Sequence, residues 1–200
     1  MNIIAKVKKI LTPKVNIKMP DDPMVIYNEA PYPAMAIVNY LISNYYPLTK
    51  TKLTKIIYYC HGWYLRFYDK PLINEHFMVT TTHGCVILES LDCFNFIRYG
   101  NDSIKELGIY FDIRISKEFI VPIIKNEQDI ELIKAVWERY GIYPDNQLAN
   151  ATHAENTPAF NIHQKLVETK KINDIIPDEL IKEYFMNIKG KENKEEEIVK

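Results

Sequence analysis

Residues 49–68 constrain this chain more than any other stretch. At helical period, Leu53, Ile56, Ile57, Cys60, Tyr64 and Tyr68 fall on one face, and Tyr59 and Trp63 add a second apolar row four residues apart. The second half of the segment is apolar nearly all round. A helix of that kind needs neighbours on several sides, so the spacing predicts a central, buried helix. Thr49 stands as its N-cap, with Leu48 and Leu53 at the two positions of a hydrophobic staple. Asp69-Lys70-Pro71 ends it, because proline cannot continue a helix and restricts the residue before it.

Neighbouring helices are predicted on both sides. Ala34, Ile37, Val38, Leu41 and Tyr45 form one apolar stripe after Pro33, and the short link to the central helix favours two antiparallel helices. Residues 87–99 read as a further helix ending at Gly100. Asn126 caps a helix with Ile130, Ile133, Val136, Trp137 and Tyr140 on its stripe, closed by Gly141. A short helix begins within residues 143–148. Thr157-Pro158 opens another with an N-cap and a first-turn proline, and the last follows Pro177.

The β signal is smaller. Residues 72–82 look extended, with residues 83–86 interrupting them. Residues 109–124 alternate apolar and polar around a candidate turn at 116–118, which predicts a hairpin. The expected fold is therefore mainly α, a compact helical domain around a central buried helix with a small β-hairpin and short strands. Residues 1–30 are expected to form a basic N-terminal arm, residues 31–188 the helical domain and residues 189–200 a charged tail.

A formal net charge of −1 gives no whole-molecule attraction to nucleic acid. No run approaches the ~20 apolar residues of a membrane span, and the N-terminus does not read as a signal peptide. Three cysteines without a C-x-x-C pair argue against a disulfide framework and fit a reducing cytoplasm. The 14 Tyr, 8 Phe and 2 Trp suit half-buried faces and contact surfaces.

Two clusters bear on chemistry. Cys60-His61 with His83 and Cys85 offers two thiols and two imidazoles to zinc, but neighbours on a helix point about 100° apart and the spacing is that of no ribbon or finger. A buried thiol and a hydrogen-bonded histidine are the favoured reading. Thr152-His153-Ala154-Glu155 places a histidine beside a carboxylate, as a base and its orienter would be. No nucleophile is positioned with them, and the favoured reading has Thr152 capping a turn while His153 and Glu155 pin a loop. With no phosphate-cradling glycine loop, no paired carboxylates and no cofactor motif, the residues read as a binding module, not an enzyme.

In order and spacing, several stretches resemble the SocA-like antitoxin family, or Panacea domain, which includes phage-associated GepA-type proteins. Residues 52–65 are similar to its K-L-x-K-L-x-Y-x-A-H-G-W-x-L signature, carrying Lys52, His61, Gly62 and Trp63. Ala36-Ile37-Val38-Asn39-Tyr40 looks like its first-helix motif, and Lys70-Pro71-Leu72 matches the turn that follows. Residues 83–89, with Gly84 and Glu89, lie where the family has Y-G-P-V-x-P-E. Arg98, Tyr99 and Gly100 through Ile104 match K-Y-G-x-x-x-I, and residues 148–158, with Thr152, His153, Glu155 and Pro158, match L-x-x-x-T-H-x-E-x-x-P-W. The chain departs from the pattern at Thr81, Cys85 and Leu88, where the family has a tryptophan and two prolines, and at Ala159 for tryptophan.

The resemblance implies a cytoplasmic, non-enzymatic protein without cofactor or metal. Such a protein neutralises a cognate toxin by direct binding in a type II-like toxin–antitoxin pair. One branch looks like a proteolytic adaptor that hands its toxin to a ClpXP-type protease, so the alternative reading is an adaptor or a phage or host-interaction protein of the same fold, with a metal-dependent enzyme the less favoured one. The expected interface uses exposed members of the Tyr/Trp set and residues 84–89, with Trp63 in the core and Tyr99, His153 and Glu155 half-exposed. Neither the toxin nor the oligomeric state follows from the resemblance.

Overall fold

The computed structural model describes residues 24–45, 47–80, 84–87, 103–104, 110–111 and 119–188. The long apolar helix forms as α2, Lys50–Tyr68. Thr49 is its N-cap, accepting from the Lys52 amide, and Asp69 ends it in the left-handed region at φ 55°, its amide donating to Leu65. Leu48 and Leu53 are both buried, as a staple requires.

Four helices cover α2, which its all-round apolarity demands. They are α1 (Ala34–Tyr45), α3 (Glu127–Tyr140), α4 (Asp145–Thr152) and α6 (Asp178–Asn187). A fifth, α5 (Pro158–Thr169), packs on α6 and on strands. Asn126 and Thr157 cap α3 and α5 as their sequences predict. Glycine follows α3 at residue 141 for a steric reason and not a conformational one. Its φ of −63° suits any residue, but a Cβ there would lie 2.6 Å from the Trp137 carbonyl oxygen.

Eight short strands flank the helices among the described residues: β1 (Met24–Tyr27), β2 (Leu48–Thr49), β3 (Phe77–Thr80), β4 (Gly84–Ile87), β5 (Ser103–Ile104), β6 (Tyr110–Phe111), β7 (Phe119–Ile124) and β8 (Asn173–Ile175). They form sheets ordered β1-β7-β6, β2-β5 and β4-β3-β8. The predicted hairpin is present as β6 antiparallel to β7, Phe111 opposite Phe119.

Three expectations change. Residues 84–86 do not interrupt the extended segment: β4 pairs antiparallel with β3, Cys85 opposite Val79. Cys85 and Ile87 face inward, an alternation too short to read from sequence. Ile87, the first residue of the expected 87–99 helix, ends this strand; the rest of that helix lies outside the described residues. Met24–Tyr27, within the expected arm, forms β1 parallel to β7.

Buried polar groups fix the layers to one another. The Glu75 carboxylate accepts from the Ala34 amide at 2.8 Å, capping α1 with a negative charge. The Asn39 amide donates to the Pro122 carbonyl at 3.1 Å, tying α1 to β7. The Tyr32 hydroxyl donates to Asp129 at the start of α3.

Candidate functional site

The signature residues 52–65 lie on α2. Lys52 reaches from the first turn of α2 to the α3–α4 connection. Its ammonium donates to the carbonyls of Gly141, at 3.0 Å, and Tyr143, with the Asp145 carboxylate 3.9 Å away. Thr49 donates to the same Asp145. Desolvation lowers the Lys52 pKa, against the opposing pull of Asp145.

One turn further, Lys55 is 4 % exposed, and its ammonium donates to the Cys85 carbonyl at 2.8 Å. Among the described residues no carboxylate accompanies it, and burial lowers its pKa. The Cys85 amide in turn donates to His153 Nε2 at 3.1 Å. Accepting there leaves the imidazole proton on Nδ1 and the ring neutral. Desolvation first, then the Lys55 charge and His163, lowers the His153 pKa to about 4.

Lys55, β4 and the end of α4 thus form one chain of hydrogen bonds, and it carries a pH prediction. The His153 pKa is depressed in the fold from an ordinary 6.5. The unfolded chain therefore binds the extra proton first, and stability falls as pH drops from 6.5 towards 4. Urea midpoints recorded across that window should decline for the native chain and flatten for His153→Gln. An unchanged slope would assign the decline to other groups.

His61 is fully buried and pairs through Nε2 with Asp178 Oδ1 at 3.0 Å, at the N-terminus of α6. Gly62 lies where α2 and α6 meet; a Cβ on it would fall 2.1 Å from Phe185 Cε2. Trp63 is 7 % exposed, its indole N–H donating to the Tyr140 hydroxyl at 3.1 Å and its ring lying edge-on to Phe185. Arg66 then donates to the Phe185 and Ile188 carbonyls at the end of α6. The signature helix is thus bolted to α3, α4, α6 and β4.

Thr152 is buried and donates to the Ala149 carbonyl, and Pro158 is buried at the first position of α5. His153 is half-buried, as expected, but Glu155 is exposed and pins no loop among the described residues. Gly84 pairs with Thr80 in the β3–β4 ladder. Glu89, Tyr99, Gly100 and His83 lie outside the described residues.

Of the four residues that could have held zinc, His83 lies outside the described residues. Cys60 and Cys85 are buried free thiols, burial pushing Cys85 up to about 11, and His61 is committed to Asp178. Among the described residues no three His, Cys, Asp or Glu side chains gather to hold a metal. Sequence reasoning passed over Lys55, although a lysine inside an otherwise apolar turn is a readable signal of a buried, hydrogen-bonded cation. The His61–Asp178 pair, 117 residues apart, had no such signal.

The domain is mainly helical, the described residues of its signature helix serve packing and internal ties, and aromatic side chains such as Phe67 and Tyr68 stay exposed. Residues 53–158, more than half of the chain, match the family described as Antitoxin SocA-like, Panacea domain. The chain belongs to this SocA-like antitoxin family. No curated protein and no solved structure matches it. No helix among the described residues is long and apolar enough to cross a membrane.

Proposed function

We propose that this chain neutralises a toxin by binding it directly, as the antitoxin half of a type II-like pair. The family match over residues 53–158 carries this reading. The fate of the signature residues is consistent with it. Lys52, His61, Gly62 and Trp63 are spent on packing and internal hydrogen bonds, so the binding energy comes from surfaces that the signature helix supports. In this reading the binding domain begins at β1, and residues 1–23, outside the family match, add partner preference. Two buried free thiols suit a cytoplasmic setting.

Co-expression with the adjacent gene is the test. The neighbour alone should arrest growth, and this chain should restore it through a complex that co-purifies at fixed stoichiometry. A harmless neighbour, or rescue without a complex, would defeat the reading.

A further inference from the structure

One surface has the composition of a binding site. Along α2 and α3 runs a groove of about 750 Å³. Trp63, Phe67 and Tyr68 line it from α2, and Leu132, Val136 and Arg139 from α3. Phe67 is 64 % exposed and Tyr68 is also exposed, although both are large apolar side chains. Phe67 stacks on Trp63 with ring centroids 5.6 Å apart. A half-covered aromatic pair of this kind is the usual anchor of a protein interface.

Two guanidiniums flank the anchor. Arg66 lies 5.0 Å and Arg139 5.5 Å from the centroid of the Trp63 ring. Arg66 donates to two backbone carbonyls through Nη1 alone, which leaves Nη2 and Nε for a partner, and Arg139 also overlies Tyr140. Neither guanidinium has a carboxylate partner among the described residues. The acid in the groove wall, Glu131, is neutralised by Lys134 on its own helix. The groove therefore pairs apolar surface with guanidiniums whose fork geometry is complementary to carboxylates.

We propose that this groove is the docking site for an acidic amphipathic helix of the bound protein. Its apolar side chains cover Phe67 and Leu132, and its Asp or Glu side chains engage Arg66 and Arg139. A groove between two helices is the geometry that receives such a segment, read at i, i+3, i+4 and i+7. The proposal rests on the reading of the chain as a partner-binding protein and names the surface and the partner chemistry.

The probe is a displayed library of random peptides about 16 residues long, enough for about four helical turns, selected on the full chain. Enriched peptides should be net acidic with apolar residues at helical spacing. Their affinity should fall on the order of 30-fold in Phe67→Ala and in Arg139→Glu, as for hot-spot residues. Both side chains are exposed, so thermal melting of these variants should match the native chain.

Basic peptides, or peptides that bind both variants at native affinity, would overturn the proposal. So would a dimer in sedimentation that Phe67→Ala dissolves, which would assign the groove to a second copy. Peptide affinity that rises on deletion of residues 189–200 would assign it to the chain's own tail, with the same consequence. If the adjacent gene is toxic and both variants neutralise it fully, the groove is not the partner surface. A harmless neighbour removes the toxin reading alone, and the peptide result then decides the groove by itself.

Discussion

Gly62→Leu should yield no folded protein, and Gly62→Ala should melt well below the native chain. A Cβ at residue 62 falls 2.1 Å from Phe185 Cε2, far inside van der Waals contact. The ring has nowhere to go. It is fully buried, with the rings of Tyr58, Tyr59, Trp63 and Tyr184 between 5.5 and 6.2 Å from its centroid. Nor is α6 free to slide, because Arg66 holds its last carbonyls and Asp178 at its first turn holds His61.

Two terms oppose each other. Alanine gains about 1 kcal/mol of helix propensity over glycine. Overpacking in a rigid core loses about 1–3 kcal/mol or more. The steric term wins because the contact is so short. Urea melts measure the net loss, and Phe185→Leu combined with Gly62→Ala should recover part of it. Native stability in Gly62→Ala would show that the helices separate freely and that the close approach is no constraint.

Lys55→Glu is the second large effect. The substitution replaces a buried ammonium by a carboxylate of the opposite sign and sets it against the Cys85 carbonyl. An uncompensated buried charge costs about 3–5 kcal/mol, a large fraction of a domain's stability. Lys55→Gln keeps an N–H donor for the carbonyl without a charge, so it should lose far less.

The pH response separates charge from packing. The introduced glutamate would have a folded-state pKa raised by burial. Stability is then present below its unfolded pKa and is lost as pH rises through the folded one. Circular dichroism should accordingly show Lys55→Glu regaining structure on mild acidification, against the His153 trend. A variant equally unfolded at every pH would point to shape, not charge, as the fault.

Much of the fold was legible because its cues are local. The bounds of α2, α3 and α5 follow from Thr49, Asn126 and Thr157 with their following amides, and each cap forms within three residues. The burial of α2 follows from its own periodicity. The candidate site was legible only as a set of names. Lys52, His61, Gly62 and Trp63 identify the family, but nothing along the chain says that Gly62 faces Phe185 or that His61 meets Asp178. The short strands were mostly missed, since two to four residues carry no period to read.

The sequence alone determined where α2, α3 and α5 start and that one helix must lie at the centre. Capping, proline placement and helical period act between residues a few positions apart, and no other part of the chain is needed to enforce them. Only the tertiary structure decided what surrounds that helix. The parallel pairing of β1 with β7, the burial of Lys55 under β4 and the exposed Phe67 beside Arg139 each join or separate residues far apart in sequence. Those contacts depend on how several amphipathic faces share one core, a condition satisfied by the whole set at once and by no single segment.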